Sequence, residues 1–188
     1  MSLPSNTYVV LEIPPPFAER VLEIRREQRD LFRWSLPAET TITGSGGVGP
    51  LVAGQDPERV FRILDRVATV TAPITTSFGP VRRFAESDVF YLSFAGDAPL
   101  RRLHARLVAS GLRFEESPYP FEPHCTLRTR SPILAEEAAA LLRERIDGRF
   151  TLDILSLYEM PARGLPEDRF ATRLCFLHRA SLAVPAGR

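Results

Sequence analysis

The sequence contains no lysine. All 24 basic residues are arginines, so a catalytic lysine, a Schiff base and the lysine of a P-loop are excluded. Each arginine stays charged and presents a planar fork of donors suited to phosphate. Histidine is scarce at three residues, and cysteine scarcer at two, Cys125 and Cys175. Two distant cysteines do not make a disulfide framework, and a reducing, cytoplasmic setting is expected. With 23 acidic residues the net charge is +1. No overall field draws such a chain to nucleic acid or a membrane, so any anion must be held locally. No apolar run reaches the roughly 18 residues that a membrane span needs. The opening Met1-Ser2-Leu3-Pro4-Ser5-Asn6-Thr7 has neither the basic start nor the apolar stretch of a secretory signal.

What is present suits an ordinary globular chain. Of 188 residues, 44% are apolar and 25% charged. A chain of this length hides roughly 70% of its unfolded surface, enough for a core without staples. One domain over residues 1–188 is expected, with a loose tail from about 184.

Tyr8–Ile13 is β-branched and apolar and reads as a strand, stopped by Pro14-Pro15-Pro16. A helix follows, with Phe17, Val21, Ile24 and Leu31 at helical spacing. Arg25, Arg26, Glu27, Arg29 and Asp30 form its other face, read as solvated. Asp56-Pro57-Glu58 has the cap, N1 proline and acidic first turn of a helix start. Ile74–Phe78 and Val81–Phe84 read as strands broken by Gly79-Pro80. Val89–Phe94 reads as a strand, Asp97 as the cap of a helix bearing Leu100, Leu103 and Leu107, and Ser131-Pro132 as a further helix start. Phe150–Tyr158 and Ala171–Leu182 read as a final strand pair.

A weak repeat runs through this order: strand, helix, then a short polar strand, first at Glu39-Thr40-Thr41-Ile42 and again at His124-Cys125-Thr126-Leu127. Each short strand reads as an ionisable residue, any residue, Thr, then an aliphatic residue. The pattern predicts an α+β fold of two related lobes.

His104 sits in the apolar stripe of its helix and reads as a structural imidazole. His178 reads as a surface or edge residue. Cys175 and His178 face opposite sides of a strand, and His124 and Cys125 diverge. No four-ligand zinc set arises, and no metal is expected. His124 is different. If Pro123–Arg130 is a strand, its period of two puts His124, Thr126, Arg128 and Arg130 on one face. That face holds a proton shuttle, a hydroxyl and two guanidinium forks, and suits a phosphate. The alternative is a polar edge strand that binds nothing. Gly44-Ser45-Gly46-Gly47-Val48-Gly49-Pro50 has neither Walker nor Rossmann spacing, and a turn is favoured over an anion cradle.

Pro123-His124-Cys125-Thr126-Leu127-Arg128 resembles the second H-x-T-x motif of the 2H phosphoesterase superfamily, which contains the 2′-5′ RNA ligase-like proteins. The place of the first motif is held by Leu36-Pro37-Ala38-Glu39-Thr40-Thr41-Ile42-Thr43-Gly44. There Glu39 stands where the family has His, and Thr41 keeps the motif Thr. Another register would put Thr41 at the His position and Thr43 at the Thr position. The resemblance implies two pseudo-symmetric lobes, each a small, mostly antiparallel sheet with outer helices, around a central cleft. It implies a metal-independent cyclic phosphodiesterase without cofactor, acting on a 2′,3′-cyclic phosphate of a small nucleotide or RNA terminus. The catalytic residues would be His124, Thr126, Glu39 and Thr41, with Arg128 and Arg130 binding phosphate. In that scheme Glu39 activates water, His124 protonates the leaving oxygen, and Thr41 and Thr126 donate to the phosphoryl oxygens. Loss of one motif His would slow such an enzyme or leave a nucleotide- or RNA-end-binding protein. Tyr119 and Phe121 are candidates to stack a base. No membrane partner is expected, and nothing in the sequence specifies an oligomer, so a monomer is the expectation.

Overall fold

A computed structural model describes residues 2–160 and 174–183. In chain order the elements are β1 (Thr7–Glu12), α1 (Phe17–Glu27), α2 (Leu31–Trp34), β2 (Glu39–Thr43), α3 (Pro57–Thr69), β3 (Ile74–Arg83) and β4 (Phe90–Phe94). They continue with α4 (Ala98–Val108), β5 (Cys125–Arg128), α5 (Ala135–Arg143), β6 (Arg149–Leu152), β7 (Ile154–Glu159) and β8 (Cys175–Ser181). The strands make two four-stranded antiparallel sheets, ordered β2-β1-β7-β8 and β5-β4-β3-β6. The fold is α+β with two lobes around a cleft, as the repeat and the resemblance imply. The units β1–α1–β2 and β4–α4–β5 are the two halves of the repeat. Each short polar strand forms one edge of its sheet, and the two edges, β2 and β5, lie against each other.

Every strand separates two kinds of side chain. On β1, Val9 and Leu11 face the helices with their partners Leu157 and Leu155, and all four belong to the buried apolar cluster. Tyr8, Val10 and Glu12 alternate to the opposite face. On β4, Phe90, Leu92 and Phe94 join that cluster, while Tyr91 and Ser93 face away. The second lobe's core centres on Phe150, whose ring lies 4.7 Å from Phe17 and 4.8 Å from Phe78. Burying one such side chain contributes about 1.5–3 kcal/mol. Val60, Ile63, Leu64 and Val67 form the buried stripe of α3, and the Asp56 carboxylate caps it through the Glu58 N–H.

Several expectations are corrected. Gly79-Pro80 does not break a strand, because β3 runs from Ile74 to Arg83 with a bulge between Phe78 and Val81. A bulge tolerates a proline that lacks a donor, and Gly79 is needed because a Cβ there would lie 2.6 Å from Ser93 Oγ. Phe150–Tyr158 is two strands separated at Asp153, β6 pairing with β3 and β7 with β1. The chain therefore changes sheets within a run that looks continuous. β7 and β8 do pair, from Ile154↔Ser181 to Glu159↔Cys175. Asp97 starts α4 in helical backbone geometry and spends its carboxylate on Arg101 at 2.7 Å, not on capping. Ser131-Pro132 precedes α5 without opening it, since the helix starts at Ala135. Arg25 and Asp30 leave the supposed solvated face altogether, at 0% and 3% exposure. Residues 171–173 of the last expected strand and the tail from 184 lie outside the described residues.

Candidate functional site

Residues directly opposed in an antiparallel pair project to the same side of the sheet. Thr126 opposes Tyr91, and Cys125 opposes Leu92. Cys125 and Leu92 belong to the core, so Thr126 lies on the cleft side, and His124, one residue before Cys125, lies there too. Its ring meets the edges of Tyr91 and Phe84 at 5.1 Å each. The expected continuation of this face stops at Thr126. A register shift places Arg128 opposite Phe90 on the core side, and an extra residue in a strand is what reverses the alternation. Arg128 is 4% exposed and donates to the carbonyls of Gln28 and Pro132 at 2.8 and 3.0 Å. Arg130 lies beyond the strand, exposed, and donates to the Arg29 carbonyl. The structure therefore does not bring Arg128 and Arg130 to the face of His124 and Thr126. They line a separate depression with Glu27, Arg29 and Glu137.

The ring of His124 is fixed by its surroundings. Nδ1 lies 2.6 Å from the Glu122 carbonyl oxygen. A carbonyl only accepts, so Nδ1 carries the proton and Nε2 keeps its lone pair. Burial holds the imidazole below its ordinary pKa. The bond to Glu122 and the Glu39 carboxylate oppose that shift, and the Arg33 guanidinium adds to it. His124 is thus a neutral imidazole at pH 7 with an acceptor nitrogen, in electrostatic reach of Glu39.

Glu39 opens β2 and is 2% exposed. Thr41, two residues on, donates its hydroxyl to Glu39 Oε2 at 3.2 Å. Arg33 Nη1 lies 3.7 Å from Glu39 Oε1, with 19% of the Arg33 side chain exposed. Burial pulls the Arg33 guanidinium below its ordinary value, and Glu39 opposes this. Its Nε is buried without a partner. The structure therefore brings Glu39, Thr41, His124 and Thr126 to the meeting of the two motif strands and adds Arg33. The sequence contains no signal that picks out Arg33, since an arginine on a one-turn helix resembles any surface cation.

Two buried ties hold this junction. Arg25 of α1 donates Nε and Nη2 to the Thr126 carbonyl at 3.0 and 2.8 Å. Its Nη1 reaches the carbonyls of Arg33, Leu36 and Pro37 at 2.9–3.1 Å. One guanidinium thus pins β5 to the segment leading into β2. Asp30 caps α2 through the Arg33 N–H at 3.0 Å and accepts from the N–H groups of Thr129 and Arg130. Arg33 is consequently fixed at its backbone as well as beside Glu39.

The remaining candidates are placed elsewhere. His104 bonds the Ile42 carbonyl through Nδ1 at 2.7 Å and stacks on Phe121 at 4.0 Å. Tyr119 is 68% exposed. The glycine-rich loop pairs its backbone with the segment before β5, Gly47 N–H to Tyr119 and Gly49 N–H to Glu115, both 2.8 Å. His178 joins β8 to α3, stacked on Phe61 and 2.7 Å from Asp65. Cys125 is buried with its thiol pushed up to about 11 by burial, and Cys175 is exposed; both are free. Among the described residues no helix is long and apolar enough to cross a membrane.

Two antiparallel sheets whose edge motif strands meet at a histidine and two threonines define a 2H phosphoesterase fold, and comparison agrees. The family model of the 2′-5′ RNA ligase superfamily matches residues 48–163, and the chain belongs to that family. The match includes His124 and Thr126 and starts after Glu39 and Thr41. Similar solved structures include Escherichia coli LigT complexed with NADP+, 17% identical with a TM-score of 0.60 over 96% of this chain and 99% of that one. The Thermus thermophilus protein TT0787 is also 17% identical, with a TM-score of 0.59 over 95% and 98% of the two chains. A structure described as a phosphoesterase is 18% identical, with a TM-score of 0.55 over 96% and 99%. No curated protein matches the sequence at a significant level.

Proposed function

We propose that this protein is a metal-independent phosphodiesterase that opens 2′,3′-cyclic phosphates of nucleotides or RNA ends. The observation that carries the reading is the meeting of β2 and β5, with His124 and Thr126 on the cleft side and His124 in electrostatic reach of Glu39 and Arg33. Superfamily membership supports phosphodiester chemistry. LigT complexed with 3′-AMP, ATP and phosphate supports a nucleotide ligand. The two free thiols accord with a cytoplasmic setting.

The geometry favours a different division of labour from the one the residue types alone suggest. Neutral His124 acts as the base: Nε2 takes a proton from water, whose oxygen attacks phosphorus. One phosphorus–ribose oxygen bond breaks, and the departing oxygen takes its proton from solvent. The product is a phosphomonoester. Thr126 donates to a non-bridging oxygen, and Arg33 supplies the positive charge that Arg128 and Arg130 are too far from the face to give. Glu39, buried and bonded to Thr41, positions that hydroxyl and Arg33 and leaves the activation of water to His124. With no second imidazole to protonate the leaving oxygen, turnover is about 10²- to 10⁴-fold below that of a site with both groups.

One observation favours a second reading, nucleotide-end binding without turnover. The Thr41 hydroxyl is committed to Glu39, and a carboxylate beside phosphate repels it. The test is turnover of 2′,3′-cyclic nucleotides in chelator, with the product read by phosphorus NMR. Slow hydrolysis that disappears in His124→Ala supports the enzyme. Binding without hydrolysis in the wild type selects the second reading.

A further inference from the structure

The cleft side of the first sheet carries a second polar group beyond the motif residues. Register defines its position. Glu12 opposes Glu39, Val10 opposes both Thr41 and Ser156, and Ser156 opposes Arg179. Side chains at these positions share one face, so a continuous row runs from the motif strand β2 across β1 and β7 to β8. Glu12 Oε1 accepts from the hydroxyls of Ser156 and Tyr158 and from Arg179 Nε and Nη2 at 3.0 and 2.7 Å. Ser156 and Tyr158 are buried, at 1% and 5% exposure. Above them the Arg179 guanidinium lies 5.2 Å from the Phe176 ring, which meets the edge of Tyr158 at 5.7 Å. Phe176 is 49% exposed.

This arrangement has the composition of a stacking platform. An aromatic ring and a planar guanidinium offer adjacent flat faces, the surfaces on which unpaired bases stack. Glu12 neutralises Arg179, so the platform offers little net charge to a second phosphate and suits an uncharged ring. Its position sets which ring. Arg179 stands three strands from Thr41, about 14 Å at the usual strand spacing. The base of a single nucleoside does not reach that far from its own cyclic phosphate. The next nucleotide toward the 5′ end does.

We infer that Phe176 and Arg179 hold the penultimate base of an RNA end whose terminal phosphate lies at His124. This rests on the proposed function and deepens it, making the substrate an oligonucleotide end and not a free mononucleotide. Glu12 is a positioning residue that orients Arg179 over Phe176.

The test is calorimetric binding of two probes to the full chain, adenosine 3′-phosphate and the adenylyl dinucleotide bearing a 3′-phosphate. The expected result is that the dinucleotide binds on the order of tenfold more tightly, the range of one base stacked on an aromatic side chain. Phe176→Ala should reduce dinucleotide affinity to that of the mononucleotide, and Phe176→Trp should retain the preference. Phe176 is half exposed, so neither variant opens the core. Equal binding of the two probes by the wild type overturns the inference alone. So does a Phe176→Ala variant that weakens both probes equally, which would mark Phe176 as structural. Failure of both probes to bind overturns it together with the reading beneath it.

Discussion

Arg25 and His104 are a matched pair across the two halves of the molecule. Arg25, on the helix between β1 and β2, donates to the Thr126 carbonyl of β5. His104, on the helix between β4 and β5, bonds the Ile42 carbonyl of β2 at 2.7 Å. Each half thus sends its helix to the motif strand of the other half, and the functional face forms where both strands are held.

Arg25 has no carboxylate among these partners and serves four backbone carbonyls, of which that of Arg33 also accepts from the Leu36 N–H. Arg25→Met would remove this donor from the carbonyls of Thr126, Leu36 and Pro37. A loss of about 3 kcal/mol or more is expected, because an orphaned buried polar group costs about 1–3 kcal/mol. Arg25→Lys keeps the charge but cannot span both the β5 and the pre-β2 carbonyls, so an intermediate loss is expected. Urea midpoints at constant slope read both values.

Gly47 has φ +72°, and an added Cβ would run into His104 Nε2 and the Phe121 side chain. Gly47→Ala therefore carries backbone strain together with displacement of the His104–Phe121 stack. A destabilisation of about 1–3 kcal/mol is expected. Thermal unfolding measures it, and a melting temperature equal to wild type would show that the loop does not brace His104.

Much of this frame is legible in the residues. Tyr8–Ile13 and the Asp56-Pro57-Glu58 helix start lie within a residue or two of the observed elements, because alternation and capping are local signals. The strand–helix–strand repeat places both motif strands correctly. Arg25 and Asp30 are misread as solvated because a one-dimensional pattern places charge outside, and only tertiary contacts supply the carbonyls and N–H groups that let these side chains be buried. Arg128 is misplaced because one bulge, invisible in residue types, reverses the alternation after Thr126. The sheet change at Asp153 and the position of Arg33 are likewise set by long-range packing.

Glu39 separates two chemistries. If it only orients Thr41 and Arg33, Glu39→Gln keeps an acceptor for the Thr41 hydroxyl, and kcat/KM stays within about tenfold of wild type. A general base would lose about 10²-fold or more on the same change. Glu39→His would supply the missing second imidazole and is expected to raise kcat/KM by at least about tenfold. Steady-state kinetics on a 2′,3′-cyclic nucleotide distinguishes the outcomes.

The depressed pKa of His124 has consequences of fixed sign. The unfolded chain binds this proton at about pH 6.5, the ordinary value, and the folded chain only at lower pH. Stability is therefore whole above pH 6.5 and declines as pH falls from there toward the folded value, because the unfolded state binds more protons in that window. His124→Asn should flatten that decline in urea titrations at stepped pH. In the same window the wild type keeps its basic nitrogen, so the acid limb of kcat/KM should fall below pH 6.5.

The two motif strands place Glu39 and His124 in one electrostatic site. The most direct measurement is the His124 imidazole pKa by NMR, in the wild type and in Glu39→Gln. The Glu39 carboxylate raises this pKa and the Arg33 guanidinium lowers it. Removing the carboxylate should therefore move the value further down from a wild-type value already below 6.5. A His124 pKa that is the same in both proteins would contradict this coupling.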